Sequence, residues 1–475
     1  MAGRPPSRSR VLILGGGLSG TLAAAALARH GAGADVDVDI VERYALPDTP
    51  RPRRGLPQSR HAHLLWSGGA EAIDSLLPGT MGTWLSAGAH RISIPNGMVA
   101  FSPGGWYRRC WPEAQYLVSA GRDLVDWAVR TRALALPGVR LLPEAEPVRL
   151  LGTRTRVTGA VIRYRDGTEE VREADLVIDA TGRSSHAPRW LAELGIPAVP
   201  ETVVDAGVTY ASRRYKAPAG TAGWPVINVQ SDARMAVPGS SGTVLPIEGD
   251  EWIVSLSGTR GGQPTSVESQ FVEFARRLRS PLVAEFLDRA EPLGPVTVAR
   301  NTANRRRHYE KSRVEGFVAL GDSATALNPV YGHGMSAAAQ GARALRDLAS
   351  KSDITSKGFA RRAQRAIGRP AAAAWLLAVG QDAAFPHAIG KKRTFADRVS
   401  ARYVSRLIET ACSDFTVVEA LTDVIALQAG SAALAHPRVL LAALRGPRLP
   451  PLDGPALTPA EQELLLGRPA PTRSA

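Results

Sequence analysis

Three short constellations carry residue types and spacings that have a chemical use. Gly15-Gly16-Gly17-Leu18-Ser19-Gly20 fits Gly-x-Gly-x-x-Gly. Gly15 permits a tight turn out of a strand, Gly17 lets backbone approach a pyrophosphate, and Gly20 lets a helix pack closely on the strand. The helix that opens at Leu18 and Ser19 then presents free N–H groups and a positive dipole end to phosphate. Glu42 follows about 20 residues on, where its carboxylate can take a ribose hydroxyl. The second constellation runs Asp175-Leu-Val-Ile-Asp179-Ala-Thr181-Gly182-Arg183-Ser184. A buried strand delivers Thr181 and Gly182 to the sheet edge where α/β folds bind ligands, although a plain strand-to-turn connection explains these residues equally well. The third is Val318-Ala-Leu-Gly321-Asp322-Ser323-Ala324 followed by Asn328-Pro329-Val-Tyr331-Gly332-His333-Gly334-Met335. Asp322 can accept hydrogen bonds from a polyol such as a ribityl chain. The helix start after Pro329, Gly332 and Gly334 suits the edge of an isoalloxazine that becomes negative on reduction.

Other residues offer less. His61 and His63 could share one face of a strand, as metal ligands do, but no third ligand cluster accompanies them, so no metal is expected. They are expected to position a cofactor or to satisfy loop backbone. Trp106, Tyr107 and Trp111 follow a glycine-rich turn and, with Tyr331, are candidates to line a lipophilic pocket; core packing suits the first three equally. No catalytic triad is recognisable.

The elements that must position these groups follow from periodicity. Arg10 to Leu14 and residues 35–41 read as strands around a helix from Leu18 to His30. Residues 44–58 are a Pro- and Arg-rich loop, and 62–77 and 122–136 read as helices. Strands are expected over 150–164, 170–179 and 314–320, with a helix over 334–348. Residues 203–259 alternate like an antiparallel sheet. Residues 359–444 are mostly helical, and the chain after Gly446 is Pro-rich and partly extended. The domain reading is a flexible tail over 1–9 and a discontinuous nucleotide-binding domain over 10–88, 118–200 and 298–350. A sheet domain covers 89–117 and 201–297, a helical region 351–446, and a Pro-rich tail 447–475.

The chain of 475 residues is 44% hydrophobic and 21% charged, as globular domains are, and long enough for two or three cores. Its net charge is +14, carried mostly by scattered arginine, with no aromatic-interleaved basic stripe, so nucleic acid is not an expected partner. Two distant cysteines, Cys110 and Cys412, point to a reducing cytoplasm rather than a disulfide framework. The N-terminus imitates a secretory signal, but its glycine spacing assigns it to the fold.

In this order the three constellations resemble the FAD-dependent monooxygenases of the p-hydroxybenzoate hydroxylase fold, over roughly residues 11–348. The resemblance implies an α/β (α+β overall) fold: a Rossmann-like FAD-binding domain with an inserted antiparallel-sheet substrate domain and a C-terminal helical region. It implies that Gly15, Gly17 and Gly20 hold the pyrophosphate, Glu42 the adenosine ribose, Arg122 the phosphates, Val148 the adenine through its backbone, Asp322 the ribityl or phosphate, and Pro329 to Met335 the flavin ring. Arg43, Arg54, Thr181 and Gly182 join this set. Asp179-Ala180 and Ser323-Ala324-Thr325 depart from the family's usual Asp-Gly and Asp-Ala-Ala-His. A narrower likeness, through residues 57–63, 252–256 and 328–335, is to a bacterial squalene-epoxidase-like branch that includes the flavin epoxidases of lasalocid and monensin biosynthesis. It implies transfer of one oxygen atom from a flavin C4a-hydroperoxide to an alkene of a polyene natural product, with dioxygen and with NAD(P)H or a separate flavin reductase. Phenol hydroxylation, prenyl-chain reduction and a membrane-surface role for helices over 417–444 are the rival readings. The Trp-x-Trp-x-Ile-Pro motif of flavin halogenases is absent.

Overall fold

The computed structural model describes residues 8–28, 36–218, 220–221, 223–390 and 394–466. Most of the tail expected over 1–9 and the end of that over 447–475 lie outside them, as do the last two residues of the expected first helix.

Ser9–Leu14 is the middle strand of a five-stranded sheet in the order Phe317–Ala319, Leu176–Asp179, Ser9–Leu14, Val36–Val41, Val139–Leu142, with every pair parallel. Its strands are apolar on both faces because both faces are covered. Val11, Ile13, Val38, Ile40, Ile178 and Val318 pack against helices Leu18–Ala28, Arg122–Leu134 and Gly334–Ala349. Leu12, Leu14, Val41, Val177 and Ala319 face the opposite way, onto helix Ala187–Glu193 and an antiparallel sheet of Ala145–Gly152, Val157–Tyr164 and Glu169–Glu173. The expected single strands over 150–164 and 170–179 are therefore two strands each. Residues 153–156 turn the chain between the first two, and the second pair splits because Leu176 must enter the parallel sheet while Glu173 stays in the antiparallel one.

A seven-stranded sheet forms the second layer, in the order Glu291–Ala299, Thr209–Lys216, Glu251–Gly258, Ser240–Ile247, Val226–Val229, Met98–Ser102, Gly105–Trp106. It is antiparallel except where Val226–Val229 runs parallel to Met98–Ser102. One face is closed by helices Glu268–Arg276 and Leu282–Leu287, whose Phe271 and Phe286 pack with Trp252, Val254 and Leu256 of the sheet. Glu201–Asp205, expected in this sheet, pairs instead with Asn304–Arg307 and Ile389–Gly390. Residues 62–77 are not all helix: Leu64–Trp66 is a strand beside Gln115–Ser119, and the helix is Ser67–Leu76. Helices Phe359–Asp382, Phe395–Ala411, Phe415–Ile425 and Pro437–Arg445 form the C-terminal region. The Pro-rich end is not simply extended, since Pro459–Leu466 is helical and Glu461 is held by Arg109 at 2.5 Å. No helix among the described residues is long and apolar enough to cross a membrane.

Candidate cofactor site and adjoining cavity

The glycine unit is built from backbone contacts. Gly15 has φ +104°, and a Cβ there would lie 2.6 Å from the Ala180 carbonyl oxygen. A Cβ on Gly20 would lie 1.9 Å from the Gly15 oxygen, so the helix touches the strand turn directly. A Cβ on Gly17 would meet nothing within 4 Å. The first helix thus opens onto free space just where phosphate binding requires it. Leu18 is buried in the core, whereas Ser19 stands beside Gly321 and links this unit to the third constellation.

Glu42 ends the second strand and is buried. It accepts hydrogen bonds from Gly16 N at 3.1 Å and Tyr44 N at 3.0 Å, which fixes its carboxylate beside the loop. Behind it stands a charge cluster that the sequence reading did not identify. Asp126 Oδ2 receives Arg53 at 3.1 Å and Arg130 at 3.4 Å, and Arg53 lies 3.6 Å from Glu42. The Arg53 side chain is only 4% exposed. Arg54, the expected contact, points outward and is exposed; the inward residue of the pair is Arg53, because Asp126 draws it in. Arg43 is also at the surface, paired with Glu146 at 3.0 Å. Val148 is the extra residue of a bulge, skipped between the pairs Val161↔Arg149 and Ile162↔Pro147, so its backbone is left without a ladder partner.

The second and third constellations are tied together. Asp179, fully buried, accepts from Thr181 N at 3.0 Å, Thr181 Oγ1 at 2.6 Å, Ser185 Oγ at 2.6 Å and Ser323 Oγ at 3.2 Å, while Gly182 N donates to Ser323 Oγ at 2.8 Å. Ser323 and Asp179, both in the stretches that depart from the family pattern, thus supply the link between the two motifs. Beyond this link Arg122, Arg183 and Asp322 interact through their charges. The Asp322 carboxylate is 3.7 Å from Arg183 and keeps 38% of its side-chain surface, although protein surrounds it. Burial pushes its carboxyl up, with Arg183, Arg122 and Arg307 opposing. Burial likewise pulls the Arg122 guanidinium down, opposed chiefly by Asp126, and its Nε is buried without a partner. An orphaned guanidinium N–H, an accessible carboxylate and an open glycine helix start are groups that fit a phosphate and a polyol, as FAD would present them.

The Pro329–Met335 stretch borders a second space. Pro329–Tyr331 forms one turn capped by Asn328, Gly332 follows at φ +69°, and helix Gly334–Ala349 begins. Pro329 is exposed and Met335 is buried in the core beneath. Val330, Tyr331 and His333 line a cavity of about 260 Å³. Its walls differ. The sheet side carries Asn228, Gln230, Ser241, Thr243, Ser257 and Thr259 beside Met98 and Ala100, whereas the helix side is mainly aliphatic, with Val404, Ile408, Val418, Leu421 and Val424, and has Gln381, Asp382 and Thr422 as its polar members. Tyr107 and Tyr331 line it, as expected. Trp106 and Trp111 do not: Trp106 packs on Phe101 at 4.7 Å in the core behind the sheet, and Trp111 on Phe415 at 5.8 Å.

His61 and His63 are each held by a hydrogen bond through Nδ1. His61 Nδ1 is 2.8 Å from Ser212 Oγ, and His63 Nδ1 is 2.8 Å from the His61 carbonyl. Burial pulls their pKa values down to about 4 and about 3, so both are neutral. Among the described residues no three His, Cys, Asp or Glu stand together as a metal requires.

The family described as FAD binding domain matches residues 8–351. Protein Rv3254 of Mycobacterium tuberculosis is 27% identical over 80% of this chain and 81% of its own length. Kynurenine 3-monooxygenase of Salinispora arenicola is 30% identical over 70% of each. The flavin-dependent brominase Bmp2 superposes with a TM-score of 0.67 at 14% identity, covering 92% of this chain and all of that one, a likeness of fold alone. The chain belongs to the FAD-binding-domain family, and that membership supports FAD as its cofactor.

Proposed function

We propose that this FAD-dependent monooxygenase passes one oxygen atom from dioxygen to a lipophilic substrate in the cavity, and that the substrate is a polyene of polyketide type whose alkenes become epoxides. The observation that carries the reading is the cavity beside the Pro329–Met335 loop, which sets aliphatic side chains of the C-terminal helices opposite hydroxyl and amide groups of the sheet. Bound FAD, once reduced, supplies the activation of dioxygen. The chain supplies the rest. Val404, Ile408, Leu421 and Val424 exclude water and take up hydrocarbon, and the sheet wall orients polar substituents. No side chain is assigned the oxygen chemistry itself. The sequence holds one Gly-x-Gly-x-x-Gly, so NAD(P)H binds transiently or a flavin reductase delivers electrons. In this reading the partners are a small molecule and, where used, that reductase, in the cytoplasm, with no nucleic acid.

Phenol hydroxylation is the second reading, favoured by the likeness to kynurenine 3-monooxygenases. The test supplies FAD-loaded protein with isotopically labelled dioxygen, first NAD(P)H and then a flavin reductase, and panels of polyenes and phenols. Labelled epoxides are expected by mass spectrometry. Labelled phenols alone establish the second reading, and a saturated alkene formed without oxygen consumption overturns both.

A further inference from the structure

One buried polar cluster at the cavity has no part in the chemistry above. Asp382 is the last residue of helix Phe359–Asp382, lines the cavity and is 1% exposed. Its Oδ2 accepts from Asn304 Nδ2 at 2.6 Å and Asn328 Nδ2 at 2.9 Å, and its Oδ1 accepts from Tyr331 Oη at 2.6 Å and Asn328 Nδ2 at 3.2 Å. Asn304 also accepts from Asn328 N at 2.7 Å, and Asn328 Oδ1 accepts from Val330 N at 3.2 Å. None of these partners is a cation. A buried aspartate with no cationic partner, far in sequence from every cofactor motif, is costly to keep unless it does something that a neutral residue cannot.

Its partners say what that is. Asn328 and Tyr331 bracket Pro329 and Val330, and all lie in the turn that leads through Gly332 into helix Gly334–Ala349. Asp382 therefore grips both ends of that turn from a different element. A carboxylate alone offers acceptor sites on two oxygens for amide and phenol donors arriving together. We propose that Asp382 is a positioning residue: it sets the Asn328–Gly332 turn against the flavin ring and turns the Tyr331 ring into the cavity wall, so that the C-terminal helices fix the geometry in which oxygen reaches the substrate. The inference rests on FAD lying along the Pro329–Met335 loop.

The test is Asp382→Asn, which keeps shape and replaces one acceptor by a donor facing the Asn304 and Asn328 amides. In FAD-loaded protein, the visible circular dichroism of the bound flavin is expected to change while far-UV circular dichroism and flavin stoichiometry stay at wild-type values. The double variant Asn304→Asp with Asp382→Asn moves the carboxylate one residue across the same hydrogen bond and is expected to restore the wild-type flavin signal. If Asp382→Asn fails to fold, Tyr331→Phe, which removes only the 2.6 Å bond, makes the same comparison. A flavin signal identical to wild type in the variant that folds overturns the inference. Absence of flavin from the wild-type protein overturns instead the reading on which it rests.

Discussion

Gly17 and Gly20 sit one helical turn apart in the same motif, yet replacing each by alanine should do opposite things. At Gly20 the new methyl would lie 1.9 Å from the Gly15 oxygen and 3.1 Å from its carbonyl carbon, with Ile13 Cγ2 at 3.3 Å. The first two are backbone atoms that cannot swing aside, so helix and strand must part by more than an ångström. Overpacking of that kind costs about 3 kcal/mol or more. At Gly17 the methyl meets no atom within 4 Å, and the backbone there is not left-handed. The flavin-free protein should gain about 0.4–1 kcal/mol, because alanine narrows the unfolded ensemble. The same methyl occupies the space that lets a pyrophosphate reach the helix N–H groups. A loss of FAD affinity of about a hundredfold, about 2.7 kcal/mol, is expected. Guanidinium unfolding of the flavin-free proteins and titration of FAD by quenching of its fluorescence separate the two effects. Wild-type affinity in Gly17→Ala, or wild-type stability in Gly20→Ala, refutes the reasoning.

Two further outcomes follow from the charges. Arg53→Ala strips Asp126 of a buried partner and should lower stability by about 3 kcal/mol, whereas Arg54→Ala should change it by less than about 0.5 kcal/mol in the same unfolding assay. His333 is buried, its Nε2 is 3.0 Å from the Ile425 carbonyl, and burial pulls its pKa to about 4. Between about pH 6.5 and 4 the unfolded chain binds the proton that folded His333 refuses, so stability falls as pH falls through that window, by about 3 kcal/mol for this group. Asp322 and Asp382, whose carboxyls burial pushes up, act in the opposite sense, so the comparison to make is with His333→Asn, whose acid-side decline should be shallower.

The glycine unit was legible because its geometry is local: the turn, the close approach and the helix start all belong to consecutive residues. The choice between Arg53 and Arg54 was not, since adjacent residues of a Pro- and Arg-rich loop are told apart only by Asp126, far along the chain. The spacing Arg122, Asp126, Arg130 did place three charges on one helical face and was a usable signal. The aromatic group failed for a different reason. Side chains alternate along Gly105–Trp106 and the residue after it, so Trp106 enters the core and Tyr107 the cavity. Asp382 left no local trace, because its partners come from two other segments and meet only in the folded chain. A sheet domain and a helical region were legible, but not the contrast between the two walls they present to the cavity.

That asymmetry of walls has a stereochemical consequence. A flexible chain in a uniformly greasy tube can roll about its long axis and offer either face of each double bond. Between a hydroxyl-bearing floor and an aliphatic ceiling, a half-turn would set polar substituents on hydrocarbon and strand the floor's donors and acceptors. Such a cavity admits one roll angle. On the proposed epoxidation, oxygen arriving from a fixed side would meet one prochiral face, and the contrast between the serines of the strands and the valines of the helices would set the handedness of the product.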